Sequence, residues 1–246
     1  MEGALSMLKA MLADGLEIKE PQFQIFLTMM AKSAKKDGMQ LVISYMSKSP
    51  NFKERSLTRP AIWHVVAQLY SRLGMWKDVL SLWDEVTYRF RKGDGVYVNG
   101  RLATLVLDSL GHCSRPMELA EFWEHLRSEF PELLRNENVW NSRIEALMRF
   151  GDVDHQALRI VIREMPSAGV EPSPKTVLVF LFPLLTTWWK GEYTTGIVRK
   201  VWTWCEQTGK QDSLRKVVRQ VEQNSPHLAL KRLRMALSAV VLDKYR

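Results

Sequence analysis

Asn138-Val139-Trp140-Asn141-Ser142-Arg143-Ile144-Glu145-Ala146-Leu147 carries apolar residues at helical spacing. The pattern breaks at Gly151-Asp152, returns through Ala157-Leu158 to Met165, and closes on Gly169-Val170-Glu171-Pro172-Ser173. Two amphipathic stretches separated by a glycine predict a helical hairpin, and its outline recurs about every 35 to 42 residues along the chain. A chain that repeats one supersecondary unit stacks its copies, because no single hairpin can bury its own apolar face.

Outward from that copy, a hairpin spans about 61–95, with Ile62, Val65, Val66, Leu69 and Tyr70 on one stripe and Val79, Leu80, Leu82, Trp83 and Val86 on the returning one, Gly74 between them. Further hairpins are expected at 21–47, 96–137, 138–173 and 174–209, after an incomplete first unit that begins in mid-repeat. The N-terminus lacks the Arg- and Ser-rich character of an organelle presequence, so the chain reads as a fragment, a processed form or a truncated gene product. Residues 210–246 do not match the pattern; they read as two basic helices, 213–223 and 227–245, that cap the array. The fold class expected is therefore all-α, a right-handed superhelical solenoid of helix–turn–helix repeats (1–209) with two C-terminal capping helices (210–246).

The net charge is +8. From Arg199 to the end there are eleven Lys and Arg against four acids, so seven of those eight charges lie there. A basic surface so concentrated suits a polyanion, and Arg215, Lys216, Arg219, Lys231, Arg232 and Arg234 are the candidate phosphate contacts. Cys113 and Cys205 have no metal-ligand spacing and suggest no disulfide framework. The apolar run from Val177 to Trp189 is too short for a bilayer span and contains Pro183, so a buried helix is expected there. His64, His112, His125, His155 and His227 are scattered, with no His-Glu-x-x-His motif, no Cys-x-x-Cys pair and no phosphate-cradling glycine loop. The pattern reads as non-enzymatic, and no cofactor or metal is implied. Trp63, Trp83, Trp123 and Trp140 fall on apolar stripes and read as core; at least one tryptophan of each pair Trp188/Trp189 and Trp202/Trp204 is expected to face outward.

The unit at 138–173 resembles the pentatricopeptide repeat. Trp140-Asn141-Ser142-Arg143-Ile144 stands where that family has a Tyr-Asn-Thr-Leu-Ile type run, and Gly151, Ala157-Leu158, Met165 and Gly169 to Ser173 fill its other characteristic places. The unit at 61–95 matches through Trp63-His64-Val65, Gly74, Val79-Leu80 and Glu85-Val86. The competitor, the tetratricopeptide repeat, has a 34-residue period and a different signature. The resemblance implies single-stranded RNA as partner, held along a concave face. One base-reading side chain would come from each first helix and a second from the loop ending the repeat.

Carried over residue by residue, it pairs Asn99 with Asn136, Asn141 with Ser173 and His64 with Asp94, the first two pairs looking like pyrimidine readers. Gln24, with Arg59, stands in the second unit, and Val177 or Leu178 in the sixth can read nothing by hydrogen bonds. An Asn near a helix start can equally be a cap. The resemblance also implies the mitochondrion and roles in transcript processing, stability or translation. A scaffold on ribosomal RNA in a larger ribonucleoprotein, and a peptide-binding adaptor with protein partners, are the competing expectations.

Overall fold

The structure, a computed structural model, describes residues 2–14, 25–26, 28–29, 38, 40–41, 60–94, 96–150, 156–187, 190–224, 227, 231–236 and 238. Every regular element among them is helical. Of the second expected hairpin only 25–26, 28–29, 38 and 40–41 are described; its Gln24, and Arg59, Gly151, His155, Trp188 and Trp189, lie outside the described residues. The chain divides into two compact units, 1–113 and 114–246.

In the first unit, α1 (Glu2–Ala13) precedes three helices that pack against one another: α2 (Pro60–Arg72), α3 (Trp76–Lys92) and α4 (Gly100–His112). Pro60 opens α2, where its missing N–H costs nothing. Trp63, Val66 and Leu69 of α2 meet Val79, Trp83 and Val86 of α3 and Leu102, Val106 and Leu110 of α4 in a buried core. Asp78 lies in the first turn of α3, and Arg89, Arg91 and Lys92 lie in the last, each matched to the helix dipole. The helix stops at Gly93, whose φ of 77° lets the Asp94 N–H return to the Arg89 carbonyl.

The second unit contains α5 (Pro116–Glu129), a 3-10 turn (Pro131–Arg135), α6 (Glu137–Arg149) and a returning helix, α7. α7 runs through Gln156–Arg159, a π turn at Ile160–Glu164 and Met165–Ser167. It is followed by α8 (Pro174–Thr186), α9 (Glu192–Gln207) and α10 (Gln211–Asn224). α6 packs on α8, and α8 packs on both α9 and α10. Val177, Phe180, Leu181, Leu184 and Leu185 of α8 are buried, as expected of a core helix, and no helix among the described residues is long and apolar enough to cross a membrane.

The tryptophans Trp63, Trp83, Trp123 and Trp140 are all buried, as the stripes imply, while Trp202 is half-buried and Trp204 is buried. Trp123 and Trp140 meet edge to face with centroids 4.8 Å apart. The Arg143 guanidinium lies 4.0 Å from the Trp123 ring and bonds Glu164 at 2.8 Å; Glu164 also holds Arg159 at 2.8 Å. Burial draws the Arg143 guanidinium below its ordinary pKa, a loss that Glu164 opposes.

Of the two expected C-terminal helices, the first is α10, and of the second only 227, 231–236 and 238 are described. α10 packs on α8 as α8 does on α6, so it occupies the place of another first helix within the stack. Its start repeats the preceding joint too. Gly209 at φ 70° and the Lys210 N–H returning to the Cys205 carbonyl match Gly169 at φ 73° and the Val170 N–H returning to Met165.

Trp123 fixes both α6 and the Arg143 guanidinium. Trp123→Ala is expected to lower the unfolding free energy by about 3–5 kcal/mol in urea denaturation, as large aromatic truncations in cores do.

Candidate nucleic-acid interface

The capping residues of the first helices set the register of every candidate site. Asn99 is extended (φ −140°, ψ 164°), and its Oδ1 accepts the Arg101 and Leu102 N–H groups at 3.1 and 3.2 Å. Asn136 Oδ1 accepts from Asn138 N at 3.0 Å, and Ser173 Oγ accepts from Lys175 N at 3.1 Å. Before α10, the Lys210 carbonyl receives the Leu214 N–H at 3.3 Å. Asn99, Asn136, Ser173 and Lys210 follow one another at intervals of 37 residues. Each satisfies helix-start N–H groups that have no partner inside the helix, or carries the carbonyl that receives the first one.

Counting five residues on from each cap gives Thr104, Asn141, Leu178 and Arg215, and His64 stands fifth from Arg59 in α2. This corrects two of the expected pairs. Asn99 is no first-helix reader of the fourth hairpin. It closes the third, where His64 Nε2 sits 3.0 Å from its Oδ1. Asp94, the partner expected for His64, instead completes the C-terminal turn of α3 and is exposed. Asn99 and Asn136 are therefore the same position in successive hairpins, and the first-helix counterpart of Asn136 is Thr104, half-buried with its hydroxyl on the Arg101 carbonyl at 2.8 Å. Asn141 and Leu178, the latter one of the two apolar residues (Val177 or Leu178) expected in the sixth hairpin, each stand five residues past a cap, and Ser173 is itself the cap of α8.

The two clearest first-helix candidates are enclosed. His64 is 7 % exposed, with its ring 3.9 Å from that of Trp63, and Asn141 is 3 % exposed. Thr176 Oγ1, from the next first helix, lies 2.7 Å from Asn141 Oδ1 and 2.5 Å from Glu137 Oε1. The Ser173 N–H donates to the same Glu137 oxygen at 3.1 Å. Burial pushes the Glu137 carboxyl up, but hydrogen bonds from Ser173 and Thr176 and the Lys175 charge outweigh it, and the net shift is downward. Asn141 Nδ2 has no hydrogen-bond partner among the described residues. A buried amide left unsatisfied costs on the order of 1–3 kcal/mol, so this atom is the unmet polar demand of the fifth hairpin.

Two residues past the four caps, Arg101, Asn138, Lys175 and the acidic Asp212 are exposed, and Lys175 Nζ donates to Asn138 Oδ1 at 2.9 Å. With exposed Asn136 and half-buried Ser173, they present donors, acceptors and positive charge beside the helix starts. Sequence reasoning missed Thr104, Glu137, Thr176, Arg101 and Lys175; the even spacing of the caps was the signal that would have located them. Of the candidate phosphate contacts, Arg215, Lys216, Arg219, Lys231 and Arg234 are exposed, Arg215 beside Asp212 at 3.2 Å. Arg232 is half-buried and donates to the Leu185 carbonyl at 3.1 Å, which gives it a structural task. No cluster of three metal-ligating side chains occurs among the described residues.

The fold is similar to that of the pentatricopeptide repeat protein PPR10 in complex with an 18-nt psaJ RNA element. The TM-score is 0.54 and the identity 19 %, over 94 % of this chain and 34 % of that one. A triple cysteine-to-serine variant of PPR10 with the same RNA element gives the same values. The chain thus spans 34 % of the length of those structures. No family model and no curated protein matches the sequence. The likeness establishes a pentatricopeptide-repeat-like fold.

Two outcomes follow from the caps and from Glu137. Asn136→Ala should cost about 1 kcal/mol in urea denaturation, the value of one cap. Asn99→Ala should cost about twice that, because it also removes the acceptor facing the enclosed His64 ring. Glu137 has a folded pKa below its unfolded value. Its contribution to stability is therefore complete above the ordinary carboxylate range and is lost as pH falls through the depressed folded value. Glu137→Gln should flatten the acid limb of a stability-versus-pH curve and leave its shape above neutrality unchanged.

Proposed function

We propose that this chain is a non-catalytic, single-stranded RNA-binding repeat protein of the mitochondrion, acting by occupancy in the processing, stability or translation of a transcript. The observation that carries this is the succession of helix starts at 37-residue intervals. Each offers polar or charged groups at the cap and two residues beyond it. A base edge is a fixed pattern of donors and acceptors, and short polar side chains at a constant repeat can meet one base per hairpin. Exposed Arg101 and Lys175 stand beside the caps, where phosphates of a bound strand would be neutralised. The likeness to a fold seen with an RNA element supports the same reading.

A second reading is favoured by a different observation. Arg215, Lys216, Arg219, Lys231 and Arg234 give the C-terminal hairpin an exposed basic surface. In the scaffold reading this surface docks on folded RNA, such as ribosomal RNA, within a ribonucleoprotein.

Fluorescence-anisotropy titrations against poly(U), poly(C), poly(A) and a stable RNA hairpin, at two salt concentrations, separate the two. Base-dependent binding to single strands is expected; equal or tighter binding to the hairpin would favour the scaffold. Replacing Arg215, Lys216 and Arg219 together by Gln should lower the salt slope on single strands by at most about 2, since each phosphate contact contributes roughly 0.7. Base preference should survive that change. No binding to any RNA would leave a peptide-binding adaptor.

A further inference from the structure

The fifth hairpin contains a chain of hydrogen bonds whose donors and acceptors do not balance as the side chains stand. Thr176 Oγ1 faces Glu137 Oε1 at 2.5 Å and Asn141 Oδ1 at 2.7 Å. A hydroxyl has one proton and cannot donate to both oxygens. The Asn141 amide nitrogen, meanwhile, is buried without a partner. Both observations meet at one group, the Asn141 amide.

Two arrangements would restore the balance. A protonated Glu137 could donate to Thr176 Oγ1, freeing the hydroxyl proton for Asn141. The environment opposes this, because the Ser173 N–H donates to Glu137 and Lys175 lends it positive charge, both favouring the ionised form. The alternative rotates the Asn141 amide by half a turn, exchanging its oxygen and nitrogen, which occupy nearly the same shape. Nδ2 then donates to Thr176 Oγ1, the Thr176 hydroxyl donates to Glu137, and every proton has one destination.

We propose that Glu137, acting through Thr176, is the positioning residue that sets the polarity of the fifth hairpin's base reader, leaving the Asn141 carbonyl oxygen as an acceptor for a base N–H. The cytosine N4 amino group and the uracil N3 imide are donors of the required kind. The role in base reading rests on the RNA-binding function proposed above, whereas the amide orientation does not. Asn141 is nearly enclosed in the free protein, so a base reaches it only when its covering side chains part. The relay keeps the amide oriented while they do. Thr176 belongs to α8 and Asn141 to α6, so the polarity of one hairpin's reader is fixed by the first helix of the next.

The test uses the full chain. With Asn side chains labelled with nitrogen-15, nuclear Overhauser contacts between the Asn141 amide protons and the Thr176 methyl group are expected without RNA. They should weaken in Glu137→Gln, whose own amide can donate to Thr176. Absence of these contacts in the unaltered protein overturns the proposal. In the second arm, short single-stranded RNAs differing at one nucleotide are titrated by anisotropy. Glu137→Gln and Thr176→Val are each expected to reduce discrimination at one nucleotide position by about fivefold, the worth of one hydrogen bond, with little change in affinity for the best RNA. Thr176→Ser, which keeps the hydroxyl, should restore discrimination. A uniform loss across all RNAs, or a Thr176→Ser variant no better than Thr176→Val, would show a merely structural clasp and overturn the positioning role. If the unaltered protein binds no RNA, the base-reading role falls with the RNA-binding function, and the Overhauser contacts still decide the orientation.

Discussion

Every first helix in the described chain is held by the first helix of a neighbouring hairpin. α2 packs on α4 in one unit, and α6 packs on α8 and α8 on α10 in the other. The constraint is elementary: a helical hairpin carries apolar residues that its own two helices cannot cover, so another copy must cover them. The core of α8 shows this, since Val177, Phe180, Leu181, Leu184 and Leu185 bury more of the helix than one partner could shield. Once packing fixes the spacing of the first helices, it also fixes the spacing of their N-termini, and the caps recur at 37 residues as a consequence.

The same packing imposes a polar problem. Side chains at the junction of two first helices lose water, so any donor or acceptor among them needs a partner across the junction. His64 finds Asn99, and Asn141 finds Thr176. Each link joins residues 35 apart, the first within the third hairpin from its first helix to the cap that closes it, the second from the fifth hairpin to the sixth. A polar group held in this way is pre-oriented and partly hidden. Exposed Asn136, Asn138 and Lys175 bear the complementary property: they are open to a ligand and held by fewer contacts.

Apolar stripes and glycines made the hairpins legible, because both leave marks in composition. Trp63, Trp83, Trp123 and Trp140 had to be core on spacing alone, and Gly93, Gly169 and Gly209 all adopt the left-handed conformation that ends a helix. Register was less legible. The hairpins differ in length, and reading Asn99 as a first-helix residue of the unit at 96–137 places it inside a helix. The chain is extended at Asn99 because its amide oxygen is better used on the unpaired N–H groups of Arg101 and Leu102 at the start of the helix. The 3-10 turn at Pro131–Arg135 hides the fourth joint, since no left-handed glycine closes α5. The charge relay of Glu137 and Thr176 was out of reach of any local pattern. Its members are 39 residues apart, and only packing brings them together.

The first C-terminal helix matches the repeat poorly in sequence. α10 is the sequence Gln-Asp-Ser-Leu-Arg-Lys-Val-Val-Arg-Gln-Val-Glu-Gln-Asn, with so few apolar residues that its stripe is a single seam. That seam packs α10 on both α8 and α9. Its register nevertheless continues the array, and this changes the meaning of its charge. Arg215 occupies the position held by His64, Thr104, Asn141 and Leu178 in the earlier hairpins. An arginine there is exposed, long and always charged, so it can meet a phosphate or stack on a base but cannot impose the donor–acceptor pattern of an Asn. The exposed charge of Arg215 thus stands at the same place in the repeat, five residues past a cap, as those earlier side chains.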